Sequence, residues 1–258
     1  MTISAQLKSD IIAHAKQSEP QESCGFVILG YLDDQPFYLP CENQSADPCH
    51  YFEIGADDWV KADQLGEVIA VVHSHPDSDT EKGLPYLSTA DRECQVQLNL
   101  PFWLVCGDDV RIFRPIPPLV GRSFINQQQD CRVLCLDAYM LAGLDIEQSE
   151  LRYDFEWFEQ GENLYEQYLL KGGFVKLSPE ESACLGDVVL LQVGSPVPNH
   201  AGIYLGNQQM LHHSLNRLSA RVPYDGFWLE QTHSIWRHKT WLQLNFTAIL
   251  NDLMIRKG

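Results

Sequence analysis

A run rich in proline, Arg114-Pro115-Ile116-Pro117-Pro118, lies near the middle of this chain of 258 residues. Proline lacks a backbone N–H and fixes φ, so this run cannot continue a helix or a central strand. It is typical of a stiff, extended connector between separately folded parts. We therefore predict a first domain of residues 1–113, a linker of residues 114–120 and a second domain of residues 121–258.

Composition and charge restrict the class of protein. The net charge of −17 argues against nucleic acid as a partner, because the chain would repel the phosphate backbone. No apolar run is long enough to span a bilayer, so we predict no membrane segment. The first residues are polar and lack the pattern of a signal peptide, from which we expect synthesis in a cytoplasm.

The first half has the pattern of helices packed on a mixed sheet, which is an α/β arrangement. Apolar residues recur at helical spacing between residues 5 and 17. Other patterns predict strands at residues 25–31, 37–39 and 68–73, a helix at 88–100 and a closing hairpin at 103–113.

Two histidines, His73 and His75, stand at the end of the strand predicted at residues 68–73. Side chains alternate along a strand, so both imidazoles point the same way and can reach one ion. Asp91 is the candidate third ligand, and three N and O ligands leave a fourth zinc position for water, as in catalytic sites. Ser88 and Asp91 also match a helix N-cap with an acidic residue three positions later, which explains both residues without a metal. The two interpretations are compatible, because a cap fixes the direction of the aspartate.

The motif His-Ser-His-Pro from His73, the motif Ser-x-x-Asp ending at Asp91, and Glu22 in an upstream Glu-Ser-Cys-Gly resemble the JAMM/MPN zinc metallopeptidases. The resemblance implies a JAMM/MPN-like mixed sheet with helices and a Zn2+ ion bound by His73, His75 and Asp91. It further implies that Glu22 acts as general base on the water at the zinc, and that Ser88 helps to stabilise the oxyanion.

The loop between His75 and Ser88 is longer than the family usually has. Its extra acidic segment contains Asp77, Asp79 and Glu81. We interpret this segment as a surface insertion, which loops tolerate. The alternative is that it alters substrate access or ligation at the histidines.

The second half contains a cysteine, Cys131, at the start of a helix predicted at residues 131–143. At this position the helix macrodipole stabilises a thiolate, so we expect the pKa of Cys131 to be lowered. A cysteine there needs a histidine partner to act as a nucleophile.

Candidate histidines lie on a hairpin predicted from strands at residues 200–205 and 209–213. His200 opens the first strand, and His212 and His213 end the second. A two-residue turn at residues 206–207 would place His213 opposite His200. A three-residue turn through Gln208 would instead place His212 on the same face as His200, diagonally.

The Asp-Cys pair, a Gly-Asp-Val-Val strand, and His-Ala-Gly-Ile-Tyr-Leu-Gly followed by Met-Leu-His are similar to the NlpC-type, papain-like cell-wall peptidases. The resemblance implies Cys131 as nucleophile, His200 as general base and His212 as the residue that orients His200, with family spacing favouring His212 over His213. It also implies an α+β fold in which the helix bearing the cysteine packs on an antiparallel sheet. Arg132-Val133 takes the place of the Ser-Gly that the family commonly has.

An acidic, aromatic segment, residues 152–168, lies between the nucleophile and the base. We interpret most of its aromatic side chains as core or lid packing, with contact to a substrate or partner as the alternative for a few. They are Tyr153, Phe155, Trp157, Phe158, Tyr165 and Tyr168.

A JAMM-like half followed by an NlpC-type half in one chain resembles a family of tail-tip assembly proteins of lambda-like phages. The resemblance implies a cysteine endopeptidase that cleaves peptidoglycan peptides, for example at a γ-D-glutamyl to diamino acid bond. It also implies a zinc-dependent amide-bond hydrolase that acts in tail assembly or on the cell wall. The implied partners are phage tail-tip proteins and bacterial peptidoglycan, and the implied locations are the host cytoplasm during assembly and the virion tail tip. The alternative is a structural tail-tip component or binding module in which one or both sites are inactive.

Overall fold

A computed structural model describes residues 3–78, 82–146 and 157–255. The chain divides into two compact units, the first ending at Ile116 and the second beginning at Pro117. The first unit is a mixed α/β unit and the second an α+β unit, which confirms the predicted fold class. Four residues singled out in the sequence lie outside the described residues: Asp79, Glu81, Tyr153 and Phe155.

The first unit contains three helices and five strands within the described residues. In chain order they are α1 (Ala5–Ser18), β1 (Cys24–Gly30), β2 (Pro36–Cys41), α2 (Ala56–Leu65), β3 (Gly66–Ser74), α3 (Thr89–Leu98), β4 (Phe102–Cys106) and β5 (Asp109–Phe113). The sheet has the order β2-β1-β3-β4-β5, with β3 and β4 parallel and the other neighbours antiparallel. The strand that carries the histidine motif is therefore central and buried.

The core of this unit forms where α1 packs on one face of the sheet. The apolar stripe of α1 contributes Leu7, Ile11 and Ala15, which lie against Val72 of β3 and Trp103 of β4. Ser4 caps the helix by accepting a hydrogen bond from the N–H of the third residue of α1. Burial of such a stripe is the main source of helix stability in a globular protein.

Helix α2 has no counterpart among the sequence predictions. Its first turn carries two aspartates, and among its residues only Ala62 is buried. An apolar stripe this weak gives no periodic signal, so the helix depends on its position against the sheet.

The second unit is built around a six-stranded antiparallel sheet. Its elements are α4 (Cys131–Leu141), α5 (Leu164–Lys171), β6 (Phe174–Lys176), β7 (Val188–Leu191), β8 (His200–Gly206), β9 (Gln209–His212), β10 (Ala220–Pro223), α6 (Gly226–Glu230), β11 (Thr232–His238), a 3₁₀ turn (Trp241–Gln243) and α7 (Thr247–Asp252). The strand order is β10-β9-β8-β7-β11-β6. Helix α4 is buried along most of its length and packs on β8.

The end of the proline-rich segment is held within the second unit. Leu119 is fully buried, and its N–H donates to a carboxylate oxygen of Asp252 at 2.7 Å. The guanidinium of Arg122 donates to the carbonyls of Pro117 and Pro118 at 2.6 and 2.9 Å, and it pairs with the buried Asp137 at 2.5 Å. These bonds fix the chain as it enters α4.

Within the described part of the chain, no helix has the length and apolar character needed to cross a membrane.

Candidate functional sites

The strand β3 presents the histidine motif to one face and a serine to the other. Cys24 of β1 pairs with His73, so the residues just before β1 lie beside His75. The Ser74 hydroxyl accepts a hydrogen bond from the Ser23 N–H at 2.8 Å, and the Ser74 N–H donates to the Ser23 carbonyl at 3.1 Å. The serine between the histidines therefore holds the backbone next to Glu22, a role that the sequence motif did not reveal.

His73, His75 and Asp91 come together as the sequence predicted, with one ligand atom of each within 4.8 Å of the others. Nε2 of His73 and Nε2 of His75 lie 3.5 and 3.3 Å from the same Asp91 oxygen, Oδ2. His73 is fully buried, and neither of its ring nitrogens has a hydrogen-bond partner among the described residues. Burial lowers its pKa, so the ring is neutral. A buried neutral imidazole without a partner, beside a second imidazole and a carboxylate, fits a zinc ion.

Asp91 completes the capping box of α3 and is also a member of this cluster. Ser88 is the N-cap of α3; its hydroxyl accepts from the Asp91 N–H at 3.1 Å, and its own N–H donates to Asp91 Oδ2 at 2.7 Å. Burial acts to raise the pKa of Asp91, but the two adjacent histidines hold it well below its usual value. Both interpretations of this Ser-x-x-Asp motif therefore describe the same geometry. Ser88 lies at the edge of the cluster, with its hydroxyl engaged in the cap.

The loop after His75 contacts the side chain of that histidine. Nδ1 of His75 lies 2.7 Å from the Leu84 carbonyl, which fixes the tautomer with a proton on Nδ1 and leaves the Nε2 lone pair for a ligand. Asp77 accepts from the Gly83 N–H at 2.8 Å. A Cβ on Gly83 would lie 2.0 Å from the His75 carbonyl oxygen, so only glycine fits there. A backbone carbonyl of the loop therefore orients His75. The interpretation of the acidic segment as a surface insertion stays a prediction, because Asp79 and Glu81 lie outside the described residues.

Glu22 lies at the edge of the cluster, with Oε1 3.9 Å from Nε2 of His75. Its side chain is buried, and burial raises the pKa of Glu22 to about 7 even though the nearby His75 acts to lower it. The loop before α2 fixes its backbone: the Glu22 N–H donates to the Pro48 carbonyl at 2.7 Å, and the Asn43 amide donates to the Glu22 carbonyl at 2.9 Å. A carboxyl that titrates near neutral pH suits a general base.

Phe52, from the same loop, was not identified in the sequence. Its ring stacks on His73 with centroids 4.6 Å apart and an interplanar angle of 24°. Phe102 packs edge-on against the same imidazole. These rings exclude water from His73 and hold it in one orientation. Neither Phe52 nor Phe102 belongs to a sequence motif that would have identified it.

Cys131 is the first residue of α4, as predicted. Asp130 caps the helix by accepting from the Val133 N–H at 2.9 Å. The sulfur lies 3.1 Å from the Tyr165 hydroxyl. The expected lowering of the thiol pKa was wrong: burial, helped by the Asp130 carboxylate, raises the pKa of Cys131 to about 11. Desolvation of the thiolate therefore outweighs the favourable macrodipole.

The hairpin of β8 and β9 brings His200 and His212 together. Gly202 pairs with His212, and Leu205 has no partner across the hairpin because the register shifts there. The turn consists of Asn207 and Gln208, both with positive φ. With this bulge, His212 shares a face with His200 and lies diagonal to it. Nε2 of His200 is 3.0 Å from Nδ1 of His212.

His213 makes different contacts, although it lines the same cavity as His200. Its Nε2 lies 3.2 Å from the Arg217 carbonyl, and its ring packs edge-on against Phe124. The imidazole of His212 packs against the indole of Trp228, with ring centroids 4.5 Å apart. Of the two adjacent histidines, His212 is the one in contact with His200.

Cys131 and His200 line one cavity of about 370 Å³. Its walls are mostly aromatic and come from Phe124, Trp157, Phe158, Tyr165 and Trp228. Burial lowers the pKa of His200 to about 3 and that of His212 to about 4, with the neighbouring histidines acting in the same direction. The resting site therefore holds a neutral thiol beside neutral imidazoles.

Two family models match the chain, one in each half. Residues 4–115 match the model of prokaryotic homologs of the JAB domain, and residues 121–237 match that of the NlpC/P60 family. A solved NlpC/P60 family protein from Bacillus cereus is 12% identical, with a TM-score of 0.32, covering 86% of this chain and 65% of its own. A likeness at that level adds nothing to the assignment.

Two relatives match over most of their length, and both are named tail tip assembly protein K. The one from Escherichia phage lambda is 46% identical over 198 residues, which are 77% of this chain and 96% of the relative. The one from Escherichia phage N15 is 36% identical over 238 residues, which are 89% of this chain and 93% of the relative. The chain therefore belongs to the family of tail tip assembly proteins K, with a JAB-like domain followed by an NlpC/P60 domain.

Proposed function

We propose that the chain is a two-site hydrolase of phage tail assembly. Its second unit acts as a cysteine endopeptidase on peptidoglycan peptides, and its first unit acts as a zinc-dependent amide-bond hydrolase in tail assembly or on the cell wall. The observation that carries the proposal is the arrangement of the cysteine site, where Cys131 and His200 line one cavity and His212 contacts His200 at 3.0 Å.

The contact between the two histidines supports their roles. Nε2 of His200 is engaged with His212, so Nδ1 of His200 is the nitrogen left to accept the thiol proton. His212 accepts the Nε2–H bond and stabilises the imidazolium that forms, which is the task of the third residue in such triads. Trp228 packs on both rings and excludes water from this bond.

The reaction follows from these positions. The Cys131 proton moves to His200 as the sulfur bonds to the carbonyl carbon of the substrate. The oxyanion faces the first backbone N–H groups of α4, which have no intrahelical acceptor. When the C–N bond breaks, His200 returns the proton to the leaving amine. Water, deprotonated by His200, then hydrolyses the thioester and regenerates the thiol.

In the first unit, His73, His75 and Asp91 would hold a zinc ion. Zinc bound there would supply Lewis acidity and lower the pKa of water to near 7. Glu22, whose pKa is about 7, takes up a proton from the attacking water and passes it to the leaving amine. Ser88 donates its hydroxyl hydrogen toward the developing oxyanion, since its oxygen accepts the cap bond and its hydrogen is left to donate.

The relatives' name supports the setting of these activities. Assembly at the tail tip implies contact with other phage tail proteins and a location in the host cytoplasm during assembly, then at the virion tail tip. Peptidoglycan is a substrate that a tail tip meets when infection begins.

The test is incubation of the purified full-length chain with muropeptides, with products identified by mass spectrometry. Cys131→Ala is expected to abolish stem-peptide cleavage, whereas Cys135→Ala, one helical turn on, serves as the matched control and should retain it. Glu22→Gln and zinc removal with a chelator are expected to leave this cleavage unchanged and to abolish any second cleavage. Cleavage that survives Cys131→Ala would refute the assignment of the nucleophile.

A further inference from the structure

The hydroxyl of Tyr165 touches the nucleophilic sulfur. Oη of Tyr165 lies 3.1 Å from Sγ of Cys131, and both residues are buried. Tyr165 belongs to the aromatic segment of residues 152–168 and lies on α5, a helix that carries none of the motif residues. The sequence motifs that contain Cys131, His200 and His212 therefore do not include Tyr165.

Helix α5 holds the hydroxyl in a fixed place. Asn163 caps the helix by accepting from the Glu166 N–H at 3.2 Å. Glu166 in turn binds Lys176 of β6 at 3.0 Å, which ties the first turn of α5 to the sheet. The Tyr165 ring packs edge-on against Trp157, with centroids 5.1 Å apart. The helix fixes the backbone of Tyr165 and Trp157 fixes its ring, so the hydroxyl does not have to be ordered during the reaction.

The groups around the sulfur differ in their effect on the thiolate. Burial and a neighbouring carboxylate disfavour it, whereas the Tyr165 hydroxyl and two backbone N–H groups favour it. The carboxylate is that of Asp130, and the N–H groups are those of Arg132 and Ala201. The thiol of Cys135 lies nearby, and the imidazole of His200 lines the same cavity as the sulfur. Tyr165 is the neutral side-chain donor in this set.

We propose that Tyr165 is a catalytic residue that donates its hydroxyl hydrogen to the sulfur of Cys131 as the thiol proton passes to His200. This rests on the proposed function of the second unit. In the neutral pair either atom can donate, but a thiolate can only accept, so the bond becomes charge-assisted at the moment of proton transfer. The interaction is therefore stronger in the activated state than in the resting state, which is the requirement for catalysis.

The phenol keeps its proton throughout. One proton moves from Sγ to His200, the sulfur then bonds to the carbonyl carbon, and the negative charge passes to the carbonyl oxygen. The hydroxyl of Tyr165 is released from the sulfur when the thioester forms. It donates again when hydrolysis of the thioester expels the thiolate.

The rate of alkylation of Cys131 by iodoacetamide tests this role without any substrate. The rate is read by mass spectrometry of the Cys131 peptide in the full-length chain between pH 7 and 9, because other cysteines are more exposed. Loss of a charge-assisted bond is expected to raise the thiol pKa by about one unit. Tyr165→Phe should therefore slow alkylation between about threefold and tenfold, the lower figure allowing for the greater nucleophilicity of a more basic thiolate.

Tyr168→Phe is the matched control, since this residue lies on the same helix and lines the adjacent cavity. It should alkylate at the wild-type rate. Equal rates in all three proteins would overturn the proposal. Incorporation of 3-fluorotyrosine at position 165 keeps the ring and makes the protonated hydroxyl a stronger donor, so alkylation at pH 7, where this phenol keeps its proton, should become faster than in the wild type. A slower or unchanged rate in that variant would also refute the role.

Peptidase measurements separate this inference from the proposed function. If the wild type cleaves muropeptides, Tyr165→Phe should lower kcat with KM unchanged, as for an interaction made only in the activated state. If the wild type cleaves none, the proposed function fails, and alkylation still decides whether Tyr165 supports the thiolate.

Discussion

Acidification from pH 7 to pH 5 should destabilise the second unit through His200 and His212. Burial lowers the folded-state pKa of His200 to about 3 and of His212 to about 4, whereas an unfolded histidine titrates near 6.5. The unfolded chain therefore binds more protons in this interval, so the stability contributed by each histidine is present at neutral pH and is lost as the pH falls.

The magnitude follows from the unfolded-state pKa. Between pH 7 and pH 5, protonation of an unfolded-state imidazole with a pKa of about 6.5 stabilises the unfolded state by about 2 kcal/mol. An imidazole held neutral in the folded state contributes almost nothing to the folded state over this interval. The two histidines together should thus lower the free energy of opening of the β8–β9 hairpin by about 4 kcal/mol. This figure changes little with the folded pKa values, provided that they stay at or below about 4.

Hydrogen exchange of the β8 and β9 amides in the full-length chain measures this free energy directly, after correction for intrinsic exchange at each pH. His212→Gln keeps a hydrogen-bond acceptor for His200 but does not titrate, so it should reduce the pH-dependent loss by about 2 kcal/mol. His233→Gln, on β11 of the same sheet, is the matched control and should behave as the wild type. An equal loss in His212→Gln and wild type would show that this histidine is not held neutral, and the neutral resting site would be wrong.

Three further predictions concern single side chains. Gly83→Ala should push the Leu84 carbonyl away from the histidine that it orients and weaken zinc binding about 10- to 100-fold in a chelator competition, whereas Leu84→Ala retains the carbonyl and should bind zinc normally. His212→Ala should lower kcat for muropeptides at least about 100-fold and His213→Ala far less, so the reverse order would refute the assignment. Arg122→Met removes the guanidinium that pairs with the buried Asp137 and holds the carbonyls of Pro117 and Pro118, and should lower the free energy of unfolding of the second unit by about 3 to 5 kcal/mol in urea titrations; a change under about 1 kcal/mol would contradict it.

The cluster of His73, His75 and Asp91 was predictable because its determinants are local. Strand alternation places His73 and His75 on one face, and the cap at Ser88 aims Asp91. The groups that orient them act through backbone carbonyls or irregular loops, as with Leu84 and Phe52. Such contacts leave no periodic pattern in a sequence.

The cysteine site shows a different limit. The macrodipole at Cys131 is visible in the sequence, but the desolvation that opposes it depends on α5 and on the aromatic walls of the cavity. The choice between His212 and His213 depends on a bulge at Leu205, which turn chemistry alone did not specify. Short elements such as β6 and β10 escaped prediction for a related reason, since three or four residues carry too little periodicity to be recognised.

The adjacent histidines at the end of β9 have an evolutionary consequence. Loop length is usually the most freely varied property of a hairpin, yet here each residue gained or lost in the turn shifts which side chain faces His200. A single-residue length change in β9 or its turn can slip the register by one position in either direction. In one of these two directions, His213 takes the place of His212 beside His200. The tandem His212-His213 thus makes the site tolerant to one class of length mutation that would inactivate a hairpin carrying a lone histidine.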